Sequence, residues 1–296
     1  MSFLKAIFDT ITQKWTAMQR QIKKIGILLR PHTPQATFLQ IKKTFESAGI
    51  EALLEESSAQ MIAYPTAHTL ESLAQEVDAM CSIGGDGTLL SLIRRLYHHR
   101  LPIFGINTGK LGFLTATNPH ELSSFASKLS AGDYALQEHM MLESHLHGES
   151  YFAINEFLIS KDSHAKGIPT IRAAIHKELF NAYRADALII ATPTGSTAYN
   201  ISAGGSIIYP LCQNILLTPV AAHTLTQRPM VLDSSFTLDF TIDLAGTLTI
   251  DGQETISFSP QDTITIKKAK NPAILIQKSD RNYFKMLRDK FQWGQE

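Results

Sequence analysis

Ser82-Ile-Gly-Gly-Asp-Gly-Thr-Leu-Leu90 is the stretch that decides the fold. Three glycines surround one aspartate. The strand-like segment Val77–Ile83 runs into them, and Thr88–His98 follows with Leu89, Leu90, Leu92, Ile93 and Leu96 at helical spacing. An apolar run that breaks at glycines and resumes with helical period reads as a strand, a tight loop and a helix. Working outward, Ile25–Leu29 reads as a strand, Gln35–Ala48 as a helix, Glu51–Leu54 as a short strand and Leu101–Ile106 as another. Strands alternating with helices predict an α/β domain whose parallel sheet is covered on both faces. Such sheets take ligands at the carboxyl ends of their strands, where this glycine loop sits.

The texture then changes. In Asn118-Pro-His-Glu121 the spacing predicts a helix start, with Asn118 as cap and Glu121 as its reciprocal partner. Residues 134–267 hold many short segments of period two, such as Phe236, Leu238, Phe240 and Ile242 against Thr237, Asp239, Thr241 and Asp243. This predicts a second, mainly β domain. Asp280 reads as the cap of a last helix carrying Tyr283, Phe284, Leu287 and Phe291. The organisation expected is an amphipathic helical extension over 1–21, an α/β domain over 22–118 and a mainly β, dinucleotide-binding domain over 119–268. A strand and helix over 269–296 are expected to return to the first domain.

The chain has 296 residues, 44% of them hydrophobic, which suits a soluble globular protein with room for two domains. Lys plus Arg and Asp plus Glu both total 27, a net charge of zero that argues against bulk nucleic-acid binding. Cys81 and Cys212 stand far apart, which fits free thiols in a reducing compartment. No secretory signal is visible and no run reaches the ~18 apolar residues of a membrane helix, so the expected location is the cytoplasm.

Four constellations carry chemistry. In the glycine loop the backbone can approach a ligand closely, and the N–H groups opening the next helix suit phosphate. Asp86 would repel phosphates, so it makes sense where it orients a hydroxyl nucleophile or faces Mg2+. The bland alternative is a tight turn with Asp86 as helix cap. Gly105-Ile-Asn-Thr-Gly-Lys110 is no Walker loop, being one residue short with Leu111 where Ser or Thr belongs. No Gly-x-Gly-x-x-Gly follows the first strand, which disfavours a Rossmann dehydrogenase.

Second, Asn107-Thr-Gly-Lys-Leu-Gly-Phe-Leu114 follows a strand and reads equally as a ligand loop or a turn. Third, Asn155 and Glu156 stand side by side in the apolar stretch Ala153–Phe157. In a strand they point to opposite faces, so one is buried unless a ligand or partner satisfies it. A strand end at the surface is the alternative. Fourth, small hydroxyl residues and glycines crowd Ala191–Gly205 behind the strand Ala187–Ile190. There Thr197 can open a helix and Tyr199 offers a flat ring.

Gly84-Gly-Asp-Gly-Thr88, the Asn155-Glu156 pair and Thr192-Pro-Thr-Gly-Ser-Thr-Ala-Tyr199, in this order, resemble the NAD kinase family. The likeness extends to His223-Thr-Leu-Thr-Gln-Arg-Pro229, to Ile250-Asp-Gly-Gln253 and to the tail from Tyr283 to Gly294, covering about 22–294. The glycine motif alone is shared with diacylglycerol, sphingosine and, more loosely, phosphofructokinases. The resemblance implies an ATP-dependent kinase that moves the γ-phosphoryl group onto the adenosine-ribose 2′-hydroxyl of NAD. It implies Asp86 as proton acceptor and Gly84, Gly85, Gly87 and Thr88 as phosphate holders. Asn155 and Glu156 would bind the ribose that is phosphorylated. Asp186, Thr197, Ala198, Tyr199 and Ser202 would line the NAD site, with Asp86, Gly87 and Phe113 nearby and Gln253 completing it. Lys166 would reach in from its loop. Arg184 matches a position often basic in members that use NAD.

The implied donor is ATP carrying Mg2+, with no protein-held metal, and the implied assembly is a homodimer or homotetramer without nucleic-acid or membrane partners. Ala187 stands where the family usually has glycine, so a positive φ there would strain the chain. Two alternatives remain: a lipid kinase on the same loop, and a dinucleotide-binding regulator without turnover. The polar Thr194–Ser202 segment and neutral charge disfavour the first, the helix expected at 1–21 favours it weakly, and Asp86 disfavours the second.

Overall fold

The structure is a computed structural model that describes residues 20–65, 68–109, 112–224 and 226–294. The amphipathic helix expected over 1–21 lies outside the described residues save for Arg20 and Gln21. The chain divides into two compact units. The first comprises the chain up to Leu92, then Leu101–Gln137, then Ile274 onward, and the second comprises Ile93–Arg100 and Glu138–Ala273.

In the first unit a six-stranded sheet runs Glu51–Leu54, Lys24–Leu29, Ala79–Gly84, Ile103–Asn107, Ala273–Gln277, Ala135–His139 from edge to edge. The first five pair parallel, with Ile27 opposite Cys81, Met80 opposite Ile103 and Leu275 also opposite Ile103. Every residue of Ala79–Gly84 and of Ile103–Asn107 is buried, as a parallel sheet covered on both faces demands. Helix Gln35–Ser47 buries Phe38, Ile41 and Phe45, a stripe at helical spacing. Each of these contributes roughly 1.5–3 kcal/mol by leaving water.

Helix Leu122–Ala131 adds Phe125, Ala126 and Leu129 to the same core. The unit boundary therefore falls after Gln137, not after residue 118. The helix opens at Leu122, three residues later than the sequence pattern puts it. Asn118 instead accepts the N–H groups of His120 and Glu121 and builds a turn ahead of the helix. The last helix, Tyr283–Phe291, is capped by Asn282, whose side chain accepts the Lys285 N–H, rather than by Asp280.

The second unit holds two six-stranded antiparallel sheets. One runs Glu178–Arg184, Thr170–Ile175, Leu238–Ile242, Ile264–Lys268, Leu142–Leu146, Glu149–Ala153. The other runs Met230–Asp233, Asn214–Val220, Ala187–Ala191, Glu156–Lys161, Gly246–Ile250, Glu254–Phe258. The alternation read from the sequence is the burial observed: Leu238, Phe240 and Ile242 are buried and Asp239 and Thr241 are not. Leu142, Phe240 and Ile266 of one sheet join Phe157, Ile190, Leu217 and Leu248 of the other in one core, so the sheets pack face to face. No helix among the described residues is long and apolar enough to cross a membrane.

Candidate active site

In the first unit, strand Ala79–Gly84 ends at the glycine loop and a helix opens at Asp86, so Gly87 and Thr88 lie in its first turn. The Asp86 carboxylate does not cap this helix. It reaches the second glycine loop and accepts the N–H groups of Phe113 at 2.7 Å, Thr115 at 3.1 Å and Leu114 at 3.3 Å. The approach is so close that a Cβ at residue 112 would stand 2.0 Å from Asp86 Oδ1, and glycine is what the position permits. An ionised carboxylate offers about four acceptor positions, and three are taken.

The far side of that loop is held by the C-terminal segment. Arg281 donates to the carbonyls of Phe113 and Thr115 and to Gln277, and Gln277 Nε2 donates to the Leu114 carbonyl at 2.7 Å. Burial pulls the Arg281 guanidinium down to about 10, against the raising effect of the Asp86 charge, so it stays cationic at neutral pH. The Phe113 ring lies 5.8 Å from that of Phe291, and Lys290 Nζ stands 5.7 Å from its centre.

The second unit brings Asn155 and Glu156 together differently from a single strand. One strand ends at Ala153 and the next begins at Glu156, so Ile154 and Asn155 form a turn between them. Asn155 is half-buried and Glu156 is buried. Asp251 accepts the N–H groups of Asn155 at 2.8 Å, Glu156 at 3.1 Å and Ile154 at 3.3 Å. Thr192 takes the carbonyls on the other side, its hydroxyl bonding Ile154 O and its N–H bonding Asn155 O. A Cβ at Gly195 would meet the Asn155 carbonyl oxygen at 2.1 Å, which is why the following loop needs glycine there.

Two buried carboxylates now share one neighbourhood. Burial, and next the charge of Asp251, push Glu156 up to about 8. Asp251 is also raised by burial, opposed by its three N–H donors and by Arg94. Asp251 keeps the charge, because it holds those donors and Arg94 Nε at 3.8 Å. Glu156 Oε2 has no hydrogen-bond partner among the described residues, and Glu156 holds the proton at neutral pH.

The loop after Ala191 starts with a tight turn, Thr194–Thr197, and a single helical turn, Tyr199–Ser202. Thr197 thus closes the first turn instead of opening the helix, since the backbone at Ala198 breaks between them. Tyr199 and Ser202 are exposed and Thr197 and Ala198 half-buried. Asn200, which sequence reading passes over, is buried and holds the loop by donating to the Ser196 and Ser206 carbonyls and accepting from Thr218. Arg184 and Asp186 are both exposed, and no ion pair joins them among the described residues. Lys166 is exposed in the loop between Lys161 and Thr170. Gln253 is exposed and accepts from Arg94 at 3.1 Å. Ala187 opens a strand and has no positive φ, so alanine is unstrained there.

Residues 16–134 match the family described as ATP-NAD kinase N-terminal domain, and residues 154–278 match ATP-NAD kinase C-terminal domain. The NAD kinase of Helicobacter hepaticus is 47% identical, over 93% of this chain and 97% of its own. That of Wolinella succinogenes is 44% identical, over 92% and 96%. Yeast NADH kinase, solved as a complex with NADH, shares the fold with a TM-score of 0.82 at 20% identity, over 94% of this chain and 90% of its own. With both domains matched in order and relatives alike along nearly the whole length, the chain belongs to the ATP-NAD kinase family.

Proposed function

We propose that Asp86 orients the adenosine-ribose 2′-hydroxyl of NAD and receives its proton as the γ-phosphoryl group of ATP is transferred. The activity itself, ATP-dependent phosphorylation of NAD, follows from family membership. What carries the role of Asp86 is its bonding: three N–H donors hold the carboxylate still and leave one acceptor position for a hydroxyl. Phosphoryl transfer has a loose transition state in which the proton leaves late, so little base strength is asked of the acceptor. Holding the hydroxyl in line is then the larger part of the work.

Gly84, Gly85, Gly87 and Thr88 hold phosphates in this reading. Space beside Gly85 is open, and the helix that begins at Asp86 brings its N-terminus to the glycine loop. Mg2+ carried on the phosphate oxygens of ATP would neutralise the charge that moves in the transfer. Asn155 and Glu156 bind the ribose. Phe113, Lys166, Arg184, Asp186 and Gln253 complete the NAD site together with Thr197, Ala198, Tyr199 and Ser202. The working form is a cytoplasmic homo-oligomer, in keeping with the edge strand Met230–Asp233, which exposes Met230 and Val231.

The test is NADP formation from ATP, Mg2+ and NAD by wild type and by Asp86→Asn. The variant should bind NAD and lose turnover by about 10²–10⁴-fold. A variant within about tenfold of wild-type kcat removes Asp86 from the chemistry.

A further inference from the structure

Residues 154–156 have no free backbone. Their three N–H groups end on Asp251, their carbonyls end on the Thr192 hydroxyl, the Thr192 N–H and the Asp251 N–H. Only the side chains of Asn155 and Glu156 are left to meet a ligand. Whatever sets Asp251 therefore sets them.

Asp251 is set by two devices. The first is its own turn. Asp251, Gly252 and Gln253 join two antiparallel strands in which Ile250 stands opposite Glu254, with positive φ at both Asp251 and Gly252 and a Gln253 N–H to Ile250 carbonyl bond of 2.9 Å, a primed turn of the kind Asp-Gly favours inside a three-residue loop. The strand before it pairs Ile250 with Phe157, so the turn is delivered beside residues 154–156. The second is Arg94. Its Nε lies 3.8 Å from Asp251 Oδ2, and it donates to the Ile250 carbonyl at 3.4 Å and to Gln253 at 3.1 Å. A fourth contact places it 3.6 Å from Glu254. One guanidinium thus bonds both ends of the hairpin turn and stands in ion-pair range of the carboxylate at its tip, with no hydrogen bond from Nε among the described residues. The Asp251 side chain is fully buried, so this charge is not softened by water.

We propose that Asp251, locked by Arg94, is a positioning residue for NAD: it holds the 154–156 turn in the one geometry in which Asn155 and Glu156 grip the ribose. The inference rests on the reading that those two side chains bind NAD. It assigns work to the carboxylate of the Asp-Gly turn and to Arg94, neither of which touches the dinucleotide in this scheme. It also predicts where the effect shows: on NAD, and not on ATP.

Asp251→Asn keeps the shape but turns an N–H donor toward amides that need an acceptor, and it leaves Glu254 as the one counter-charge beside Arg94 among the described residues. The experiment measures KM for NAD and for ATP in wild type, Asp251→Asn, Arg94→Met, Asn155→Ala and Leu248→Ala. It adds amide hydrogen exchange at residues 154–156 in ligand-free protein. Leu248→Ala is the control for stability alone, since it opens a cavity in the same strand without touching the turn.

The result expected is faster exchange at residues 154–156 and a rise in NAD KM of roughly 10–100-fold in Asp251→Asn. Arg94→Met should show a smaller rise and serves in its place if Asp251→Asn fails to fold. ATP KM stays within about twofold, and Leu248→Ala changes neither KM. A normal NAD KM in the Asp251 and Arg94 variants while Asn155→Ala raises it overturns the positioning role alone. A normal NAD KM in Asn155→Ala overturns both this proposal and the binding role beneath it. Equal rises in Leu248→Ala and Asp251→Asn also overturn it, because the effect is then one of stability.

Discussion

Arg281 and Asp86 grip the same short loop from opposite faces of its backbone. Asp86 accepts the N–H groups of Phe113, Leu114 and Thr115, while Arg281 donates to the carbonyls of Phe113 and Thr115. Gln277 takes the remaining carbonyl, that of Leu114. The carboxylate assigned to chemistry is therefore held by a relay that ends in the C-terminal segment.

Arg281→Met should lower kcat by roughly 10–100-fold, because a loop free to shift carries Asp86 with it. It also strands buried acceptors at about 1–3 kcal/mol each, so Tm falls too. Arg281→Lys keeps the charge but lacks the fork that spans several acceptors, and it should fall between the two. Steady-state rates well below each variant's Tm check the point. Wild-type kcat in Arg281→Met would show that the loop holds Asp86 unaided.

Gly112→Ala is a sharper probe, since the new methyl would meet the Asp86 carboxylate at 2.0 Å. One of them must move. Overpacking of this kind costs about 1–3 kcal/mol, and the yielding group is a side chain with a job. We expect a folded protein with kcat reduced at least tenfold and NAD affinity little changed. Normal turnover would mean that Asp86 works from a different rotamer.

Glu156 gives stability a pH dependence of known sign. In the unfolded chain it ionises near ~4.3, and in the folded chain burial and the Asp251 charge hold its proton up to about 8. Between those values the folded state binds more protons than the unfolded state, so stability falls as pH rises. The contribution is fully present below the lower value and gone above the upper one. Asp251 stays charged beside it, and Arg94 and Glu254 complete the local charges. Glu156→Gln removes the titration. Its stability relative to wild type should grow between pH 5 and pH 8.5, read by urea unfolding at both. Parallel pH profiles would sink the assignment.

Much of this was legible in the sequence, and the limits have physical causes. The change from a continuous apolar strand to helical spacing at Gly84–Leu90 announces the α/β unit, because the period of burial is a local property. The alternation at Leu238–Ile242 announces the β unit for the same reason. Asp86 stood out as one charge among glycines. Arg281, Arg94 and Asp251 did not, because their partners lie far along the chain and no local pattern encodes a contact of that range. Asp251 left a partial signal: Asp-Gly between alternating strands marks a hairpin, but not what the carboxylate aims at. Asn118 caps no helix because a side chain that can cap can also build the turn ahead of it, and Asn282, two residues on, takes the cap expected of Asp280.

The last prediction concerns the choice between NAD and NADH, which we expect to favour NAD through Arg184. The side chain is exposed at the end of strand Glu178–Arg184, whose last carbonyl accepts the His223 N–H at 2.9 Å. Among the described residues no ion pair joins it to Asp186, and its side chain is exposed. Oxidised nicotinamide is cationic, and a guanidinium beside it would by charge alone favour the reduced ring. That term is small, because exposed charges in water are worth about 0–1 kcal/mol. Shape carries more: a pocket that fits a planar ring and rejects a puckered one can discriminate by roughly 1–3 kcal/mol per small group. Shape should win. Arg184→Gly should then raise the use of NADH relative to NAD by roughly 10–200-fold with the fold intact. The measurement is kcat/KM for both dinucleotides in both proteins. A ratio that moves toward NAD would show that charge, not shape, is what Arg184 supplies, and an unmoved ratio would remove it from the choice.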